Sequence, residues 1–308
     1  MGKKIMKKIN LAALVPNYDV DSISNAIMET IKLISKEIDL IKVKNLIAEF
    51  KKIFQGEYPG YQSCSTDYHD IFHTLDATLA FVRIVHGASL AGKKYQSGDV
   101  FLGVLATLFH DTGYILPETD KTGTGAKFTL NHVELSVDFV EKYLQTKGYS
   151  DLDFEKVASM IRCTGVSIDL TRIKFPYKEI EDLGKILGAA DLIGQMSDRN
   201  YLEKLLFLVK EFDEGKVPGF DGERDLFQKT ISFKKEAENR LNKTLGGFHK
   251  YVHLHFKHRY NVDEDLYQEA IDHHITYLDK VLKEHPNVYR EFLRRGGIVK
   301  KFQSKYEK

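Results

Sequence analysis

Residues 100–111 read VFLGVLATLFHD, and the fold turns on how that stretch is taken. Its apolar character is nearly continuous, as suits a helix in the middle of a domain rather than on its surface. The run then stops at His110-Asp111. A carboxylate closing such a run loses its hydration, which is costly unless it is hydrogen-bonded, paired or bound to a cation. Working outward, helical periodicity dominates on both sides and strand-like alternation is scarce. Upstream, Ile23, Ile27, Ile31 and Ile34, then Leu46, Ile47, Phe50 and Phe54, recur at three- and four-residue steps, with Asp19 or Asp21 placed to cap the first helix. Gly56, Pro59 and Gly60 break the pattern before a helix predicted from near Asp67 to His86. Downstream, TGYILPETDKTGTGAK over 112–127 reads as a long loop beside the end of the buried helix, a place where function collects. Further helices are expected at 130–147, 152–164, 178–195, 199–214, 222–257 with a break near Gly246, and 263–284. The expectation is an all-α, multi-helix bundle with a C-terminal helical extension. Its parts are N-terminal helices over 1–55, a catalytic body over 56–245 and the extension over 246–308, all in one compact unit.

The chain has 308 residues, 43% hydrophobic and 29% charged, in the range of folded globular proteins. Its 45 basic residues nearly cancel 44 acidic ones, so a net charge of +1 offers no broad surface for a nucleic-acid polymer. The opening MGKKIMKKINLAALVPNYD places lysines before an apolar stretch, but that stretch is short and Pro16 interrupts it. Nowhere do about eighteen apolar residues follow one another. Neither a signal peptide nor a membrane span is expected, and the protein is read as cytoplasmic. Cys64 and Cys163 lack CxxC partners, which predicts two reduced core thiols rather than a disulfide or a thiolate metal site.

Three further stretches bear on chemistry. In DYHDIFHTLD, His69 and His73 are four apart, which on a helix sets both rings on one face. In GKILGAADLIGQM, Asp191 is a lone acid in a run of small and aliphatic residues, so the argument made for Asp111 applies to it again. Together His73, His110, Asp111 and Asp191 supply two imidazoles and two carboxylates from separate helices. Such N and O donors suit Zn, Mn, Fe or Mg rather than a soft metal. His132, at the start of the helix after the Thr/Gly loop, is a further ligand, a phosphate contact or a plain surface histidine.

The order His, His-Asp, Asp on helices resembles the HD-domain metal-dependent phosphohydrolases, and YHDIFHTLD resembles the Tyr-His-Asn…His motif of class I cyclic-nucleotide phosphodiesterases. The resemblance covers roughly residues 60 to 225. It implies a phosphodiesterase-like helical bundle holding two divalent ions, with His73, His110, Asp111 and Asp191 as ligands and Asp111 bridging. It also implies His69 as the acid that protonates the leaving oxygen, and Thr164 in MIRCTGVSID near the second ion. The chain departs from the pattern at Tyr114, where those enzymes carry a second His, and at Asn131-His132-Val133-Glu134, where they carry Glu-Asn-His-His. Gln228 and Phe233 are candidates for the glutamine and aromatic clamp on a nucleobase, with a spacing that differs by two. Asp70 or Glu134 is expected to orient His69.

The function so implied is hydrolysis of a small phosphoester, a cyclic nucleotide first, by metal-activated hydroxide with a His general acid. Alternatives are an HD-family nucleotidase or nucleotide pyrophosphohydrolase, an HD-fold di-iron oxygenase, and a regulatory module that keeps ligands without turnover. His249, His253, His255 and His258 have basic neighbours and no supporting acid, which reads as a solvated face. His273 and His274 point different ways. The apolar face of 262–284, with Leu266, Ala270, Ile271, Leu278 and Leu282, packs on the body or forms a homodimer. Arg294, Arg295, Lys300 and Lys301 are expected in a solvated, frayed tail.

Overall fold

Asp19 opens the first helix: its carboxylate accepts the Ser22 N–H at 2.7 Å, and α1 runs Val20–Ile34 with Ile23, Ile27 and Ile31 fully buried. The computed structural model describes residues 9–307, so the lysine-rich start of the chain, on which the signal-peptide question rests, lies outside the described residues. After α1 come α2 (Leu40–Gln55), α3 (Ile71–Leu90), α4 (Ser97–Phe109), α5 (His132–Thr146) and α6 (Asp151–Ile161). Then follow α7 (Lys178–Ser197), α8 (Tyr201–Glu214), α9 (Gly222–Asn239), α10 (Val252–Tyr260), α11 (Leu266–Glu284) and α12 (Ile298–Tyr306). Among the described residues there is no strand, and the all-α bundle expected from periodicity is what forms.

At the centre lie α3 and α7, each buried along nearly its whole length. Their crossing is close because Gly194 has no side chain; a Cβ there would sit 3.1 Å from the Ala77 Cα and backbone N. Around this pair, α1, α4 and α10 pack on α3, while α6 and α11 pack on α7. One apolar core runs from Val15 to Phe302 and takes in residues of all twelve helices. The face of α11 that carries Leu266, Ile271 and Leu278 is covered by the chain's own body. No helix among the described residues is long and apolar enough to cross a membrane. Cys64 and Cys163 are free thiols, as expected.

Four expectations are corrected. First, α3 starts at Ile71 with Asp70 as its cap, accepting the His73 N–H at 2.9 Å; His69 therefore precedes the helix. The Thr66 hydroxyl donates to the His69 carbonyl at 2.7 Å and so takes the acceptor that a helix begun at Asp67 would need. Second, the break placed near Gly246 is a wider junction: a π turn over Arg240–Thr244, glycines 246 and 247 at positive φ, and a short 3-10 turn over Phe248–Tyr251. Third, the basic tail is docked. Lys301 and Lys305 pair with Asp67 at 3.1 and 2.6 Å, and Ile298 and Phe302 are buried as α12 lies on α8.

Fourth, the histidine cluster is a solvated face only in part: His258 is exposed and His253 half-buried. His249 and His255 are buried, and the His255 Nδ1 stands 3.0 Å from the Nδ1 of buried His86 on α3. Burial, reinforced by nearby Arg83 and His86, pushes His255 down to about 2, and burial pushes His86 down to about 4. The cause is position: α10 turns Val252, His255 and Phe256 inward against α3 together.

Candidate metal centre

The last turn of α4 delivers His110 and Asp111 into the core, each under 3% exposed. The His110 Nδ1–H donates to the Thr107 carbonyl at 2.7 Å, which fixes the tautomer and leaves the Nε2 lone pair pointing inward. Asp111 then leaves helical geometry at φ −109° and ψ 10°, and the chain turns through Thr112 and Gly113. Gly113 lies directly on the start of α5: its N–H donates to the Ser136 hydroxyl at 2.8 Å, and a Cβ there would fall 2.0 Å from the His132 carbonyl oxygen. This contact is what brings His132 to the same place.

His73 from α3 and Asp191 from α7 complete the group. The Asp111 Oδ2 is 3.1 Å from the His73 Nε2 and 3.3 Å from the His110 Nε2, and the Asp191 Oδ1 is 3.2 and 3.6 Å from the same two nitrogens. Adjacent donors on an ion with bonds of about 2.0–2.2 Å stand ~3.0–3.5 Å apart, so the spacing fits a first-row divalent metal. His73, His110 and Asp111 offer donor atoms that all lie within 4.8 Å of one another. His110 Nε2 and Asp111 Oδ2 are buried and make no hydrogen bond. Leaving such atoms unsatisfied is costly, and a cation between them removes the cost.

The electrostatics agree. Burial favours the neutral acid at Asp111, but the fields of His110 and His73 outweigh it and hold the carboxyl well below its usual range. Asp191 is held low in the same way against its own burial, by His110 and His73. Burial also disfavours a charged His73, yet the carboxylates of Asp111 and Asp191 beside its Nε2 overcome it and push the imidazole up to about 10. Two ionised carboxylates in this space call for positive charge, supplied by protons on the imidazoles or by a metal in their stead.

On the other side of Asp111, Oδ1 faces the His132 Nε2 at 3.8 Å. His132 donates its Nδ1–H to the Thr129 carbonyl at 2.7 Å, and burial pulls its pKa down, so a lone pair faces a carboxylate oxygen. Tyr114 is stacked between His69 and His132 at 4.4 and 4.6 Å between ring centres. The three rings form one wall of the centre.

His69 lies beside the cage, its ring centre 5.4 Å from that of His73. Its Nδ1–H donates to the Glu211 Oε2 at 2.6 Å, while the Glu211 Oε1 accepts the Tyr68 N–H at 2.6 Å. Glu211 on α8 is thus the group that orients His69, and neither expected residue does so. Asp70 is spent on capping α3 and on Lys204 at 3.4 Å, and Glu134 forms a forked pair with Arg162 at the surface. A signal for Glu211 does exist in the sequence: it stands seven residues after Lys204, two helical turns along one stripe of an otherwise apolar helix face, and both are buried.

Thr164 turns its hydroxyl back to the Ile161 carbonyl at 2.9 Å, and among the described residues no hydrogen bond joins it to the cage. Gln228 and Phe233 stand on α9, which packs on α8 and α11; Gln228 is exposed and Phe233 is half-buried against the core. No hydrogen bond or ring contact among the described residues connects that pair to the centre. A family model described as Npun_R2479-like matches residues 117–240, a stretch that includes His132, Asp191 and Glu211 but not His69, His73, His110 or Asp111. No curated protein matches the chain.

Proposed function

We propose that this chain is a metal-dependent hydrolase of small phosphoesters, with a nucleotide, and a cyclic diester first, as substrate. His73, His110, Asp111 and Asp191 are the ligands in this reading, and His69 is the general acid. The observation that carries it is the meeting of an N/O donor cage with a carboxylate-oriented histidine, the His69–Glu211 pair, at one buried centre. A structural ion needs the first and has no use for the second.

A divalent ion held there lowers the pKa of a water from about 15.7 to about 7 and polarises phosphoryl oxygens, which supplies a nucleophile at neutral pH. The chain's own groups do the rest. Glu211 holds the Nδ1–H of His69, so the imidazole presents Nε2 toward the leaving-group oxygen and gives up its proton there. Asp111 turns Oδ2 to the imidazoles of His73 and His110 and Oδ1 to the side of His132, so Asp111 and His132 are the residues that would hold a second ion if one bound. Tyr114 shields that side from solvent by its stack.

The test strips the protein of metal, reloads it with Zn, Mn, Mg or Fe singly, and follows phosphate release or diester opening over cyclic nucleotides, nucleoside mono- and triphosphates and pyrophosphorylated nucleotides. His69→Ala is expected to keep its metal and lose turnover, and a leaving group of low pKa is expected to restore part of it. Full activity in His69→Ala would remove the general-acid role. A second reading, a di-iron oxygenase on the same scaffold, is favoured by one observation, the His132 lone pair facing Asp111 Oδ1. Iron content with a visible charge-transfer band and oxygen consumption supports it, whereas colourless protein active with Mn rules it out.

A further inference from the structure

A cavity of about 530 Å³ opens between the turn Leu11–Leu14, α3, the end of α7, α11 and the segment at Arg295 and Gly296. None of His69, His73, His110, Asp111 or Asp191 lines it. Its volume falls within the range of small-molecule sites, about 300–1,000 Å³. Arg83, Arg199 and Arg295 are among its lining residues, as are the acids Asp76, Asp198 and Glu269.

Arg83 is the informative one. It is 3% exposed, lies 5.6 and 5.7 Å from the ring centres of Phe256 and Tyr267, and donates from Nη1 to the Tyr267 hydroxyl at 2.9 Å. Among the described residues that is its one hydrogen bond, it has no ion pair, and its buried Nε has no acceptor. A buried guanidinium without an anion is an unbalanced charge, and burial of that kind normally comes with a carboxylate or phosphate partner. The three acids that line the cavity are already engaged: Tyr18 donates to the Asp76 Oδ2 at 2.6 Å, Lys204 pairs with Asp198 at 2.9 Å, and Glu269 is not free either.

The other two arginines are held in place by backbone and imidazole groups. Arg199 stacks on Tyr18 at 4.5 Å and donates to the Val15 carbonyl at 2.6 Å. Arg295 donates to the Arg199 carbonyl at 3.0 Å and faces the His274 Nε2 at 3.1 Å, with His274 fixed by its Nδ1–H on the Met196 carbonyl. No carboxylate among the described residues forms a side-chain ion pair with Arg199 or Arg295, although three carboxylates share the wall with the three arginines, so it is buried Arg83 that calls for an anion.

We infer that this cavity is a binding site, separate from the metal cage, for a small organic anion whose phosphate or carboxylate head group pairs with Arg83. The phenol rings of Tyr18 and Tyr267 border the space left for the rest of the molecule. Between the two sites lies a gap of about 10 Å³, room for a single water, bordered by His73, Asp76, Gly194 and Asp198.

The test uses full-length protein stripped of metal and dialysed free of chelator, titrated calorimetrically with inorganic phosphate, pyrophosphate and succinate in turn. Saturable binding of one ligand per chain is expected for at least one probe. A response to the phosphates alone marks a phosphorylated ligand, and a response to succinate alone marks a carboxylic acid. Arg83→Met is expected to weaken that binding tenfold or more and Arg83→Lys to fall between. Arg295→Met, at an exposed rim position, is expected to weaken it several-fold and decides the matter should Arg83→Met fail to fold. Asp111→Asn is expected to bind as the unaltered protein does, which separates this site from the cage whatever becomes of the hydrolase reading. No saturable binding of any probe, unchanged affinity in the arginine variants, or loss of binding in Asp111→Asn would overturn the inference.

Discussion

Replacing Asp111 with Asn tests the centre at the atom on which it depends. Oδ2 of Asp111 stands 3.1 and 3.3 Å from two imidazole nitrogens and makes no hydrogen bond of its own. The amide keeps the shape and removes the charge that a cation needs. An ion present at a hundredfold its dissociation constant stabilises the folded state by about 2.7 kcal/mol. With an unfolding entropy of about 2.1 cal/mol/K per residue, a chain of 308 residues has ~0.65 kcal/mol/K at its midpoint, so the ion raises Tm by about 4 °C. Scanning calorimetry of metal-stripped protein, with and without added Zn or Mn, reads this difference directly. Asp111→Asn is expected to lose it, leaving less than ~1 °C, and Glu134→Gln at the surface is expected to keep it. The reasoning is refuted if Asp111→Asn gains the same increment as the unaltered chain, because the ion would then bind elsewhere.

Metal-free protein should lose stability as pH rises. Its His73 pKa lies near 10, above the ordinary 6.5, so that contribution is complete below pH 6.5 and disappears as pH passes through 10. Asp111 and Asp191 are depressed from 3.8, so their contribution is present above that value and fades as pH falls below it. Urea midpoints of stripped protein should therefore be highest between these limits and drop toward pH 10, and equal midpoints at pH 6 and 9.5 would count against the coupling. Glu211→Gln should cut turnover by roughly tenfold or more with metal content unchanged, since it acts through His69; metal analysis beside kinetics separates this from simple unfolding. Gly113→Ala puts a methyl 2.0 Å from the His132 carbonyl oxygen and should destabilise by about 1–3 kcal/mol or more, read by chemical denaturation. Glu134→Ala, which removes only an exposed pair with Arg162, should stay within about 0.5 kcal/mol of the parent.

What the sequence by itself determined is whatever follows from local order and from loss of water. Apolar residues at three- and four-residue steps specify helices because 3.6 residues close each turn, and Asp19 caps α1 through atoms three residues away. An acid or imidazole inside an apolar run must be compensated wherever the chain folds, which makes His110, Asp111 and Asp191 legible in the sequence, while His73 is legible through its four-residue spacing from His69. Tertiary structure decided which groups do the compensating. Glu211 reaches His69 across 142 positions, Asp67 takes the lysines of α12, and His255 is buried against His86 instead of meeting solvent. The cavity beside Arg83 belongs to that second class, since its walls come from five distant stretches of chain. Periodicity states that a side chain turns inward; only the packing of helices against one another, set by shape complementarity over the whole core, states what it meets there.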